Sequence, residues 1–200
     1  MSERRDAIDN LLSLRRACPE AVVWSRRFRT LEEAWEGLDS PAWALWALEK
    51  FGYRDERKLR QFAVACAERC KALWDDPQRA RAIEVASRAA TGAASRDDLL
   101  AAYVATRRAA EAIVDRPDYS EAMAAAAAAA IGAVRDLPYE AARDAARESS
   151  RAVAWDVGNA ASHPEEGAWQ CDELRRIIGA DIHATIAEAR RSTRGQLHVL

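Results

Sequence analysis

Two cysteines one helical turn apart, Cys66 and Cys70, are the first residues whose type and spacing suggest chemistry. Thiolates at that spacing leave one face of a helix and can supply half of a tetrahedral zinc site. A full site needs two more ligands, and Cys18, Cys171, His163 and His183 are the residues at hand. The same two cysteines also step in register with Leu59, Phe62 and Leu73, the pattern of a buried helical stripe. Unbonded cysteine is among the most buried residue types, so a core role is expected and Cys66 and Cys70 are only weak metal candidates.

A second constellation surrounds His163. It follows Ser162, precedes Pro164-Glu165-Glu166, and has Asp156 and Asn159 close by in sequence. An imidazole beside carboxylates is the raw material of general acid–base catalysis. Catalysis also needs a reacting group, an orienting partner and a pocket, and the sequence marks none. No catalytic residue is assigned, a non-enzymatic role is expected, and nothing calls for a cofactor. His163, Glu165 and Glu166 are read instead as partner contacts on a loop over 158–167, which Gly158, Pro164 and Gly167 punctuate.

Tryptophan offers binding rather than reaction chemistry. Five of the seven tryptophans fall at Trp24, Trp35, Trp43, Trp46 and Trp74, and tryptophan is enriched where partners bind tightly. Trp43, Trp46 and Trp74 sit at helical spacing with aliphatic residues and are expected in the core. Trp24 and Trp35 lie on shorter helices and are expected to face a partner.

Helices must position all of these. Start signals recur at Ser2, Thr30 with Glu33, Ser40-Pro41, Asp55, Asp76-Pro77, Ser95 with Asp98, Ser120 and Pro138. Gly52, Gly92 and Pro117 read as stops. They delimit helices over 2–17, 20–28, 31–38, 42–51, 55–74, 78–91, 95–114, 121–136, 138–157 and 168–191. Arg57, Lys58, Arg60, Glu68 and Arg69 are expected largely away from the buried side of the 55–74 helix. No alternating strand pattern appears. The expected fold is all-α, an irregular, slightly solenoidal bundle of antiparallel helix pairs with about eight to ten helices. It forms one domain over 1–191, Trp-rich to about residue 75 and Ala-rich from about residue 80, with a tail over 192–200. The run Ala124 to Ala130 is expected to be buried, the alternative being a seam for a second copy. The acidic pairs Glu32-Glu33, Asp75-Asp76, Asp97-Asp98 and Glu165-Glu166 sit mostly at helix starts and loops, where some complement the dipole, the alternative being a basic partner.

Composition narrows the class. The 200 residues carry a net charge of −2, and lysine occurs only at 50, 58 and 71. That balance argues against nucleic acid as the main partner. The N-terminal segment has no apolar core of a signal peptide, and the longest apolar run is too short for the roughly 20 residues of a spanning helix. A soluble, cytoplasmic protein without a membrane partner is expected, its four cysteines free thiols.

The order of motifs resembles a known family. Ala17-Cys-Pro-Glu-Ala-Val-Val-Trp24 is followed by Thr30-Leu-Glu-Glu-Ala-Trp35 and Pro41-Ala-Trp-Ala-Leu-Trp-Ala-Leu48. Then come the 55–70 helix with its paired cysteines, Arg81-Ala-Ile-Glu-Val-Ala86, an alanine-rich tract and Gln170-Cys-Asp-Glu-Leu-Arg-Arg-Ile177. This order is similar to an alanine-rich, immunity-protein-like helical family of bacteria and phages. The resemblance spans most of residues 11–178. It implies an all-helical fold, no catalytic residues and a protein partner, a toxin or a defence component, neutralised by binding. Two other functions stay open from the residues alone: self-assembly through the alanine helix, and a metal- or small-ligand-binding bundle.

Overall fold

The computed structural model describes residue 8 and residues 11–157 and 164–197. Its helices are α1 Pro19–Ser25, α2 Leu31–Glu36, α3 Pro41–Phe51, α4 Glu56–Arg69, α5 Pro77–Ala90, α6 Arg96–Glu111, α7 Glu121–Ala133, α8 Pro138–Asp156, α9 Pro164–Ile178 and α10 Asp181–Leu197. Residues 11–14 are also helical, and short 3-10 turns follow α4 and α6. The fold is an all-α, multi-helix bundle with no strand among the described residues.

Local side-chain chemistry sets most of the starts. The Thr30 hydroxyl accepts from the Glu33 N–H at 3.0 Å, and Asp55 accepts from Arg57 and Lys58. Ser95 and Asp98 complete a reciprocal capping box at α6. At α2 the box stays half formed, because the Glu33 carboxylate takes the Arg29 N–H instead. Two ends differ from expectation. The predicted helix over 168–191 is two helices, α9 and α10, broken at Gly179, whose φ of 58° suits glycine. Residues 192–197, expected as tail, continue α10.

The chain divides into two compact units rather than the single domain expected. One joins Met1–Arg54 with Ile178–Leu200, and the other is Asp55–Ile177.

In the first unit α10 packs against α2 and α3. Leu45, Leu48, Ile182 and Ile186 are almost wholly buried there. Arg190 grips Glu32 with two bonds of 2.8 and 2.9 Å. Partial burial opposes charge on the Glu32 carboxyl, but the Arg190 hydrogen bonds win and hold it below its ordinary value.

The helical turn ahead of α1 closes in a Schellman motif. The Arg16 N–H donates to the Ser13 carbonyl at 3.0 Å and the Ala17 N–H to Leu12 at 2.9 Å. The left-handed position, normally glycine, is held by Arg16 with φ 60°, the one positive-φ residue other than glycine among those described. Left-handed backbone costs such a residue about 1–2 kcal/mol, and glycine's freedom in the unfolded chain takes back part of any gain. Arg16→Gly is therefore expected to stabilise the protein by about 1 kcal/mol in a urea melt. A loss of stability would mean that the arginine side chain makes compensating contacts.

In the second unit the alanine helix α7 is the centre. It packs most closely on α8 and also touches α4, α5 and α6. Beyond Glu121 no residue of α7 is exposed. The run Ala124 to Ala130 is thus largely embedded, with Ala124 and Ala128 half-buried. Trp74, Cys70 and Ile113 cover Ala125, Ala126, Ala129 and Ala130. Arg60, expected to face outward, is only 6% exposed. Its guanidinium donates to the carbonyls of Arg135 and Asp136 at 2.8 and 2.7 Å, satisfying backbone in the connection between α7 and α8. Burial lowers its pKa, with Asp136 and Glu56 opposing the shift.

Candidate functional site

The first unit holds a half-open apolar cleft. Trp24 of α1, Trp43, Trp46 and Phe51 of α3, Leu12, and Ile186 of α10 line it. Short helices make this possible, since α1 and α2 are too brief to cover α3 along its length. Trp24 stands edge-on to Trp43 with ring centroids 5.7 Å apart, and Phe28 leans on Trp24 at 4.7 Å. The three rings brace one another. Ser25 is the only hydroxyl in the lining, and it already donates to the Val22 carbonyl at 2.8 Å. The cavity measures about 50 Å³. Sites for whole small molecules run to about 300–1,000 Å³. This one matches a single inserted apolar side chain.

Three tryptophans, Trp35, Trp43 and Trp46, depart from their expected places. Trp35 is 5% exposed and belongs to the floor of the cleft, so its expected partner-facing position is corrected. Trp43 and Trp46, expected in the core, are half-buried at the cleft wall, while Trp74 is buried as expected. Trp24 is half-buried and keeps an accessible part.

The loop residues separate as well. Pro164, Glu165 and Glu166 are not in a loop but form the first turn of α9, with proline at its head and two carboxylates complementing the dipole. Glu165 is exposed. Glu166 is 1% exposed, which removes it from any outer surface. Its carboxylate meets Arg69 Nε at 3.1 Å, Gln170 Nε2 at 3.2 Å and the Ser149 hydroxyl at 3.5 Å. Gln170 Nε2 also reaches the Ala146 carbonyl at 2.9 Å, and Arg69 lies over the Trp169 ring at 4.9 Å. This polar knot joins α4, α8 and α9. A buried carboxylate so surrounded is satisfied electrostatically and acts as a fastening. His163 lies outside the described residues.

Cys66 and Cys70 sit beside this knot. Burial pushes the Cys66 thiol well up, and the Glu166 charge adds to the shift. Burial likewise raises Cys70 to about 12. Its thiol points at the backbone carbonyls of Cys66 and Ala67. A metal-bound thiolate must lose its proton, which these surroundings oppose. Among the described residues no group of three or more His, Cys, Asp or Glu is placed to hold a metal ion. Cys66, Cys70 and Cys171 are buried and Cys18 is exposed. Burial thus keeps the Cys70 thiol protonated near neutral pH. In native protein an aromatic disulfide reagent is expected to titrate Cys18 quickly and the other three only on unfolding. Fast reaction of two or more thiols would contradict this burial.

A wider hollow of about 480 Å³ in the second unit is lined by Arg96, Tyr103, Arg135, Asp136 and Glu140. Four of its charged groups are paired, Arg96 with Asp136, and Arg135 with Glu140 as well as with Asp144, while Asp97 also lines it.

No family model, curated protein or solved structure matches the chain. The site therefore has to be read from its own geometry. Sequence reasoning missed Arg60, Ser149 and Gln170 as interior polar groups. For Gln170 a signal existed: Glu166, Gln170, Leu174 and Ile178 repeat every fourth residue and are all buried. Among the described residues no helix is long and apolar enough to cross a membrane.

Proposed function

We propose that the chain is a protein-binding module whose contact centre is the apolar cleft of Trp24, Trp43 and Trp46. The observation that carries this reading is a tryptophan-walled cavity of about 50 Å³ whose one hydroxyl, that of Ser25, is already bonded within its own helix. Pockets of this kind, walled by aromatic rings, take the anchor side chains that dominate binding energy. The order of motifs similar to the immunity-protein-like family supports a more specific role, in which the partner is a toxin or defence component held inactive by occlusion.

The test is co-purification from cells that express the neighbouring genes, comparing the wild type with a cleft-filling variant, Ala47→Phe. Ala47 is half-buried at the cleft wall. One stoichiometric protein recovered by the wild type and lost by a folded variant is the expected result. Equal recovery by both, or recovery of the bait alone, would overturn the reading.

A further inference from the structure

We infer that a groove along α5 binds a small zwitterion, a free α-amino acid with an aliphatic side chain. The groove has a volume of about 480 Å³, within the range of sites that take whole small molecules. Arg79, Ile83 and Ser87 of α5 line it at every fourth residue, so one helical face runs along its length. Glu68 of α4 lines it too. Both helices pack together within the second unit, and the groove shares no residue with the tryptophan cleft.

The first observation is an unanswered cation. Arg79 is half-buried, and its Nε is shut off from solvent without a hydrogen-bond partner. A guanidinium partly stripped of water, with nothing to offset its charge, is costly until an anion reaches it. Glu68 is the converse case. Its side chain is exposed, and among the described residues neither Glu68 nor Arg79 makes an ion pair, with each other or with a third group. The other charges of the lining are already paired. Glu84 holds Arg81 at 2.8 Å and Arg88 at 3.8 Å, and Arg88 also meets Asp98 at 3.7 Å. The groove therefore balances to zero, with one charge of each sign left to a ligand.

The second observation is the polarity of the hydroxyls. Ser87 donates to the Ile83 carbonyl and Thr91 to the Arg88 carbonyl, both at 2.8 Å. Both line the groove, and with their protons committed their oxygens can only accept. An ammonium brings three donors and no acceptor, which suits these oxygens and the Glu68 carboxylate. A carboxylate suits Arg79. Ile83, 5% exposed, and Ala80 supply apolar wall for a short aliphatic chain. A plain anion would meet Glu68 as a like charge, and a plain cation would meet Arg79. A molecule carrying both charges answers both groups.

The experiment titrates the full chain with leucine, leucinamide and N-acetylleucine by calorimetry. Leucinamide lacks the carboxylate, and N-acetylleucine lacks the ammonium. Leucine is expected to bind, and each derivative to bind at least about tenfold more weakly, because each leaves one charged group of the groove unanswered. Arg79→Gln is expected to abolish leucine binding with the circular dichroism spectrum unchanged. Glu68→Gln is expected to bring leucine and N-acetylleucine to the same affinity, a convergence that a general loosening of the fold would not produce. Equal or tighter binding of either derivative by the wild type would overturn the zwitterion in favour of a plain anion or cation site. No binding of leucine at about 10 mM would overturn the site itself. Ala47→Phe is expected to leave leucine affinity unchanged, so the groove and the cleft stand or fall separately.

Discussion

Trp74→Ala is expected to lower the unfolding free energy by about 3–5 kcal/mol, near the top of the range for a single substitution. The indole is 1% exposed and covers a floor of alanines on α7. The cost of such a truncation depends on how far the surroundings collapse into the void. Alanines have no side-chain torsions with which to follow, so the cavity should persist. Trp74→Phe is the informative companion. The indole Nε1 is buried without a hydrogen-bond partner, so phenylalanine removes an unsatisfied donor while retaining most of the ring. Its loss should stay below about 2 kcal/mol. Urea denaturation followed by circular dichroism gives both values. A loss under about 1 kcal/mol for Trp74→Ala would mean that α7 is far more yielding than its packing implies.

Gly132→Val is expected to cost about 3 kcal/mol, the upper part of the range for an overpacked core. A Cβ placed on Gly132 would lie 2.8 Å from the Ala145 backbone nitrogen and 3.0 Å from the Asp144 Cβ. Both belong to α8, the helix in closest contact with α7. Backbone atoms cannot rotate aside, so the two helices would have to separate. Gly132→Ala tests the mechanism more sharply. Glycine is about 1 kcal/mol worse than alanine inside a helix, so helix propensity alone predicts a gain. The close approach of α8 predicts a loss. A higher melting temperature for Gly132→Ala would show that α7 and α8 are free to slide.

Much of the fold was legible because helix ends are decided by neighbours in sequence. Ser40-Pro41 and Ser95 with Asp98 announced their helices through groups three residues away or fewer. The burial of individual tryptophans was not legible in that way. Trp35 is enclosed, and Trp43 and Trp46 border the cleft, in a unit completed by α10, whose Ile186 lies far along the chain. No local period encodes that arrival. Glu165 and Glu166 make the same point at closer range. They are adjacent glutamates with identical side chains, yet one is exposed and the other is buried in the knot with Arg69. Their fates follow from the helical phase set at Pro164. Reading the segment as a loop concealed that phase. Gly179 was a visible break, passed over because apolar residues continue on both sides of it.

The cleft-bearing unit is discontinuous, and this gives the molecule an order of maturation. Residues Asp55–Ile177 are consecutive, so that unit can close on itself while later residues are still being synthesised. The other unit cannot. Its Glu32 waits for Arg190, and its cleft waits for Ile186. A nascent chain therefore carries its tryptophan wall without the helix that completes it. On the proposed reading, binding switches on only when α10 emerges and supplies Ile186. A prematurely terminated chain would contain an intact alanine-rich unit and no working cleft.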